Sequence, residues 1–424
     1  MQQLYQPPNV IEFPANIFRL NNGLTVIHQH LSATPVVVVD VWIRAGARVE
    51  SEQWQGTAHF LEHMIFKGSR NIGPGEFDFR LENSGGLTNA ATSHDYAHFF
   101  ITTAAENLPG ILPDFADILL RAAIPDEEFV REREVVFEEI RSCQDDSDWL
   151  GFQALCESLY AGHAYGRSIL GTEEHLRSRS PGQMRSFHRT HYQPENMTVS
   201  IIGGIEQELA LSLTDKAFKD FSARDECPKS AIGNQPSILS VQRTELRLPR
   251  LEMARLLMAW IGPGIDSLET AFRLDLLSVL LAGGRSSRLV KELREERHLV
   301  FDIASEFSLQ QDSSLLTIVA WLEPQNLKEV EAIIRDRVAQ LHDTPVEAAE
   351  LSRCKRLLRN DYAFSTETPG QLAGLYGYYN TIASAELSTL YPEEIQKICA
   401  EDLCATARQH LKPDRYAIVE MQQL

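Results

Sequence analysis

Two kinds of hydrophobic pattern occur along the chain, and each predicts a different element. Between Glu127 and Cys143 the apolar residues Phe129, Val136 and Ile140 are seven and four residues apart, which is the spacing of one buried face of a helix. Residues 87–102 are rich in β-branched and aromatic side chains and carry few helix signals, so we predict strand structure there.

The same succession of predicted elements occurs twice along the chain. Arg189-Thr-His191-Tyr-Gln-Pro194 corresponds to Arg408-Gln-His410-Leu-Lys-Pro413, at an offset of 219 residues from Arg189 to Arg408, and each is followed by a β-branched segment. Both halves also open with a predicted strand that leads into a helix. In the first half the strand Pro35–Ala45 leads into the helix that contains His59 and His63. In the second half the strand Ala254–Ile261 leads into the helix Glu269–Leu281. A period this long indicates duplicated domains.

We therefore predict two homologous domains, residues 1–223 and 241–424, with a linker at residues 224–240. The linker segment is polar, has weak periodicity and contains Pro228 and Pro236. Adjacent runs of strands beside long helices favour an α+β fold, in which each domain is a largely antiparallel sheet covered by helices on one face.

Charge narrows the choice of partners. Lys and Arg number 40 against 59 Asp and Glu, so the net charge is −19. This balance excludes a generally basic nucleic-acid binder and favours basic or extended peptides as partners. Hydrophobic content of 43% and charged content of 23% are those of an ordinary globular protein.

We expect no membrane span and a cytoplasmic location, in the bacterial cytosol or an equivalent reducing compartment. The longest apolar run, Val36 to Val39, is far too short to cross a bilayer. The first eight residues lack the basic start and apolar core of a signal peptide. The six cysteines include no Cys-x-x-Cys pair, which indicates reduced thiols.

The stretch His59-Phe-Leu-Glu62-His63 predicts a metal site. On a helix, residues four apart lie on one face, so His59 and His63 could bind one cation. Glu62 lies three residues beyond His59, within reach of a water at that cation. The order is the inverse of the H-E-x-x-H zinc motif.

A tetrahedral zinc site needs a third protein ligand. The helix predicted at residues 127–143 offers Glu132, Glu134, Glu138 and Glu139. Glu132 and Glu139 are seven apart and share a face, so the residues alone leave both open. The place of Glu139 beside Ile140, at the edge of the buried face, favours it, because a carboxylate there would need a cation.

At these motifs the chain resembles the pitrilysin-type inverzincin peptidases. The segment from Ala45 to Ser69, with Gly56-Thr-Ala-His59-Phe-Leu-Glu62-His63 at its centre, is similar to the family signature, and Glu132-Arg-Glu-Val-Val-Phe-Glu-Glu139-Ile is similar to the second motif. The likeness extends to the short members that resemble the mitochondrial processing peptidase β-subunit and bacterial processing-protease-like proteins, which have two of the four domains of a clamshell.

The resemblance implies an activity and a role for each residue. The chain is expected to be a zinc metalloendopeptidase that cleaves extended peptides or presequences in a closed chamber. His59, His63 and Glu139 would bind Zn²⁺, Glu62 would act as the general base, and Glu132 would assist catalysis.

The resemblance also implies a substrate strand at Asn89, Ala90, Ala91 and Thr92. Its physical basis is β-augmentation, in which an unfolded peptide pairs its main chain with an edge strand beside the metal.

One element departs from the family pattern. Self-sufficient members carry an Arg and, seven residues later, a Tyr that stabilise the developing oxyanion, whereas this chain has Arg294 followed by Phe301. We therefore expect a heterodimer whose homologous partner supplies an intact Arg/Tyr pair. The alternatives are a catalytically weak homodimer, or a non-catalytic scaffold subunit of the same fold.

Overall fold

The computed structural model describes residues 13–230 and 239–424. The first eight residues, on which the signal-peptide prediction rests, and residues 231–238 of the predicted linker lie outside the described residues.

In the described part, each half of the chain forms one sheet. The first sheet contains β1 (Asn16–Arg19), β2 (Thr25–His30), β3 (Val36–Ile43), β4 (Leu87–Thr92), β5 (Ala97–Ala104) and β6 (Met197–Gly203). The second contains β7 (Gln242–Leu248), β8 (Ala254–Pro263), β9 (Val300–Leu309), β10 (Ser313–Leu322) and β11 (Ala417–Gln423).

The two sheets share one topology. Their strand orders are β1-β2-β6-β3-β5-β4 and β7-β11-β8-β10-β9, which coincide once β1 is set aside. In the described residues β2 pairs with β6 and β7 with β11 in parallel, and the other neighbours are antiparallel. The predicted duplication and the largely antiparallel α+β fold are confirmed.

Helices connect and cover these strands. The first half contains α1 (Thr57–Ile65), α2 (Glu76–Asn83), α3 (Leu108–Leu120), α4 (Asp126–Asp145), α5 (Ser147–Leu159), α6 (Glu173–Arg177), α7 (Pro181–His191) and α8 (Gln207–Ala217). The second half contains α9 (Leu268–Ala282), α10 (Leu327–Asp343), α11 (Ala348–Phe364), α12 (Pro369–Ile382), α13 (Tyr391–Lys397) and α14 (Ala400–His410), with a π-helical segment at Val290–Glu296. The predicted boundary falls between α8 and β7, and the exact limits of the domains stay a prediction.

The strongest sequence patterns correspond to observed elements. The helix predicted at 127–143 lies within α4, and the strand-like stretch 87–102 forms β4 and most of β5. Among the described residues, no helix combines the length and the apolar character needed to cross a membrane.

Two helices are exchanged between the halves. Helix α5 of the first half packs on β7, β8 and β11, and α12 of the second half packs on β3 and β6. Both faces of the central strands are apolar, as the almost fully buried Val36–Ile43 run shows, so each sheet needs a second covering layer. The expectation that helices lie on one face is therefore incomplete, because the opposite face is covered by a helix of the other half.

The contact between α12 and the first sheet depends on a glycine. Gly377 faces the indole of Trp42, and a Cβ at Gly377 would lie 2.2 Å from the indole Nε1 and Cδ1 atoms. Trp42 is itself buried between α12 and the rings of Tyr96 and His98. The indole therefore has no room to move away from an added methyl group.

We expect Gly377→Ala to lower the free energy of unfolding by about 1–3 kcal/mol, because overpacking forces the indole or the backbone to shift. Gly374→Ala, one turn earlier on α12, is the matched control, since a Cβ there meets nothing within 4 Å. The control should be neutral or stabilising by up to about 1 kcal/mol, because alanine favours the helix. Chemical denaturation of both variants measures this, and equal stability of the two would contradict the packing described.

Candidate metal centre

Helix α1 is fixed at its start by a buried carboxylate. Gly56, with a φ of 81°, precedes the helix and offers no side chain to cap it. Glu50 instead accepts hydrogen bonds from the backbone N–H groups of Gly56 (2.9 Å) and Ala58 (2.6 Å). Burial raises the pKa of Glu50 to about 8, against the effect of these hydrogen bonds and of Arg167 and Arg179. Glu50 thus satisfies two of the N–H groups that a helix leaves free.

The two histidines of α1 meet one carboxylate of α4. Glu139 Oε1 lies 3.6 Å from His59 Nε2, and Glu139 Oε2 lies 3.4 Å from His63 Nε2. Ligand atoms of the three residues all fall within 4.8 Å of one another. Burial lowers the pKa of His59 to about 4, so its ring is neutral and can offer a lone pair.

The other nitrogen of His63 is held by Glu132. Its Nδ1 lies 3.0 Å from Glu132 Oε1, and the second oxygen of Glu132 is 2.7 Å from Lys67 Nζ. Burial lowers the pKa of His63, but its contacts with Glu132 and Glu139 outweigh that effect and raise the pKa to about 9. Glu132 thus orients the imidazole and leaves Nε2 directed at Glu139.

The geometry favours Glu139 over the other glutamates of α4 as the third ligand. Glu139 faces both Nε2 atoms, whereas Glu132 contacts the far side of one ring. Glu134 and Glu138 are exposed, and Glu138 pairs with Arg141.

Glu62 points towards the last residue of β4. The Thr92 hydroxyl donates a hydrogen bond of 2.5 Å to Glu62 Oε2. Burial raises the pKa of Glu62, although the hydrogen bond from Thr92 acts in the opposite direction. A carboxylate with a raised pKa that also interacts with the His63 imidazole is suited to accept and return a proton near neutral pH.

The donor set and its spacing fit a zinc ion. Zinc binds imidazole nitrogen and carboxylate oxygen at about 2.0–2.2 Å, so the ligand atoms of a tetrahedral site are about 3.3–3.5 Å apart. Each histidine Nε2 lies close to that distance from an oxygen of Glu139, His63 at 3.4 Å and His59 at 3.6 Å, although the two oxygens differ. His59, His63 and Glu139 could therefore hold one zinc ion, with a position left for water or substrate.

The predicted substrate strand divides between two faces. β4 is one of the two edge strands of the first sheet, and no strand of the described residues pairs with its outer side. Asn89 and Ala91 are exposed, while Ala90 packs against the core and Thr92 reaches Glu62. The main chain of this edge is the part that a peptide could pair with, and Thr92 is placed to orient the Glu62 carboxylate.

The second-half element that corresponds to the family's Arg/Tyr pair is turned towards its own half. Arg294 Nη1 lies 2.8 Å from Asp302, and the guanidinium also bonds Glu295 at 3.0 and 3.1 Å. Phe301 is 55% exposed. Neither residue has a contact with the α1 histidines among the described residues.

Comparison with known proteins places this geometry in a family. A family model described as Insulinase (Peptidase family M16) matches residues 25–173, and one described as Peptidase M16 inactive domain matches residues 180–358. The zinc protease PqqE of Helicobacter pylori is 30% identical over 404 residues, which cover 93% of this chain and 89% of that protein. The chain belongs to peptidase family M16. The resemblance to the pitrilysin-type inverzincins is thereby confirmed.

Solved structures show the same architecture. A protease from Helicobacter pylori superimposes with a TM-score of 0.89 at 26% identity, over 96% of this chain and 99% of the other. The periplasmic protease PqqL of Escherichia coli matches with a TM-score of 0.81 at 19% identity, over 97% of this chain but 48% of its own. This M16 chain therefore spans about half the length of PqqL.

Two supporting residues were not predicted as part of the site. Lys67 follows His63 by four residues, but α1 ends at Ile65, so helical spacing gives only a weak signal for its contact with Glu132. Glu50 lies in the loop before α1, where helical spacing does not apply. Its role as the cap of α1 is visible only in the folded structure.

We expect Glu132→Ala to weaken zinc binding by about 10- to 100-fold, since partners that orient a ligating histidine contribute on that scale. Glu134→Ala, an exposed residue on the same helix, should bind zinc as the parent does. Competition with a chromogenic chelator measures both affinities. An unchanged affinity in Glu132→Ala would contradict the orienting role.

Proposed function

We propose that this chain is a zinc metalloendopeptidase that cleaves extended peptides. The observation that carries the proposal is the convergence of His59, His63 and Glu139 beside the buried carboxylate of Glu62. The zinc proteases among the relatives support the same chemistry.

Each residue has a defined task in this proposal. Zinc, when bound by the three ligands, would polarise the scissile carbonyl and lower the pKa of a water molecule towards ~7. Glu62 accepts the proton of the attacking water and passes it to the leaving amine. Thr92 keeps the Glu62 carboxylate at the end of β4. Glu132 holds His63 from its Nδ1 side.

Peptide binding by β4 is part of the same proposal. An extended segment would add to the free edge at Asn89–Thr92 through main-chain hydrogen bonds, which are independent of sequence. Since Thr92 ends β4 and contacts Glu62, a peptide paired with this strand would be led towards the base. The acidic chain, with its net charge of −19, would attract basic peptides such as presequences.

We also propose that a second, homologous chain completes the enzyme. The length ratio to PqqL supports this, because one chain corresponds to about half of that longer protein. Arg294 is engaged with Glu295 and Asp302, and Phe301 has no hydroxyl to donate. A partner that carries both an Arg and a Tyr would supply the missing oxyanion donors. We place the pair in a reducing compartment such as the bacterial cytosol, in keeping with the six free cysteines.

We expect Glu62→Gln to abolish peptide cleavage while zinc content stays at one ion per chain, because glutamine cannot accept the proton. Glu134→Gln is the exposed control and should retain the parental rate. Cleavage of a quenched fluorescent peptide and metal analysis of the same samples provide the two readouts. Substantial activity in Glu62→Gln would rule out the role of the base.

We expect the chain alone to be slow. In a pair of identical chains, where position 301 of one copy lies at the metal centre of the other, Phe301→Tyr should raise kcat by up to about 10²–10³-fold, the value of one oxyanion donor. Phe364→Tyr adds a hydroxyl at another exposed position of the second half and should change nothing. Full activity of the purified chain without a partner, with no gain from Phe301→Tyr, would sink the requirement for a second chain.

A further inference from the structure

A tight turn of the second half inserts between segments of the first half that surround the candidate metal centre. The turn joins β9 to β10 and contains Gln311 and Asp312. The Asp312 carboxylate accepts two hydrogen bonds from Arg48, from Nε at 2.7 Å and from Nη2 at 2.9 Å. The Gln311 N–H donates to Asp95 at 3.1 Å, and the Asp312 N–H donates to the Tyr165 hydroxyl at 3.1 Å.

The first of these segments leads directly to the start of α1. Arg48, which binds Asp312, lies two residues before Glu50, which accepts from the N–H groups of Gly56 and Ala58. The position of Arg48 along the chain is therefore tied to the position of the carboxylate that caps the metal-binding helix.

The second segment leads to the general base. Asp95, which accepts from the turn, lies three residues after Thr92, the hydrogen-bond partner of Glu62. The first two segments are also bonded to each other, because the Ala47 N–H donates to the Ser93 carbonyl at 3.0 Å. A Cβ at Gly46 would lie only 2.1 Å from the same carbonyl oxygen, so the two segments are in close contact.

The third segment, which contains Tyr165 and Arg167, is hydrogen-bonded to the other two segments. The Tyr165 hydroxyl donates to both oxygens of Asp95, at 2.8 and 3.0 Å, and Arg167 donates to the Glu50 carbonyl at 3.2 Å. The side chains of Arg48 and Asp95 are 15% and 5% exposed. Charged groups held this far from water, with a two-point Arg–carboxylate contact, fix geometry more strictly than exposed pairs do.

We propose that the Gln311–Asp312 turn is a positioning element for the metal centre. It holds Arg48 and Asp95, and through them it sets the start of α1 and the place of Thr92 beside Glu62. The half whose family model is described as inactive thus has a defined task in the active site, a task that rests on the proposed function. Asp312 and Arg48 are positioning residues in this scheme, since neither contacts the ligand atoms.

Asp312→Asn and Arg48→Lys test the proposal in the full chain, because each keeps side-chain length but breaks the two-point contact. We expect each variant to weaken zinc binding by about tenfold, at the low end of the effect of residues that support metal ligands. The zinc affinity of the double variant should be no lower than that of the weaker-binding single variant, because the same Arg48–Asp312 contact is removed in all three. Glu306→Gln, an exposed acid on β9, is the control and should bind zinc as the parent does.

Hydrogen exchange of the zinc-free proteins separates positioning from general destabilisation. Exchange should rise in residues 46–65 and 93–95 of the variants, while β2 and β6 stay protected. Zinc affinities within twofold of the parent, or an even rise in exchange over both halves, would overturn the proposal. If the parent itself binds no zinc, the proposed function fails, and the exchange pattern still decides whether the turn positions α1.

Discussion

The candidate metal centre depends on the packing of helix α1 against helix α4. Phe60 on α1 and Phe129 on α4 are both fully buried, with ring centroids 4.7 Å apart, and this contact sets the register of the two helices. Glu139 lies ten residues beyond Phe129, about 15 Å along α4, where it faces both histidines. Glu132 lies about two helical turns closer to Phe129 than Glu139 does, and it contacts Nδ1 of His63. The packing of α1 on α4 thus directs two carboxylates to the two sides of one imidazole.

Neither half of the chain forms a complete layered structure alone. The second sheet receives α5 from the first half, and the first sheet receives α12 from the second. This exchange buries both apolar faces of strands such as β3, and it brings the β9–β10 turn against the loop before α1. Among the described residues, the duplicated fold therefore contains one candidate metal centre, and the segments around it contact both halves of the chain.

Much of this arrangement could be predicted because its signals are local. The apolar spacing that marks α4 and the repeat at 219 residues both lie in short stretches of sequence. The choice between Glu132 and Glu139 could not be made from spacing, because both occupy one helix face and only the approach of α1 separates them. The exchange of α5 and α12 was also beyond reach, since periodicity shows that a face is buried but not which partner covers it. Arg48 and Asp312 are 264 residues apart in the sequence, so no local pattern predicts their contact.

The most direct test of the central claim is anomalous X-ray diffraction from crystals of the zinc-loaded chain, recorded on both sides of the zinc absorption edge. The account predicts one strong anomalous peak per chain, about 2.0–2.2 Å from the Nε2 atoms of His59 and His63 and from a carboxylate oxygen of Glu139. No peak between these three side chains, or a zinc ion bound only elsewhere, would contradict it.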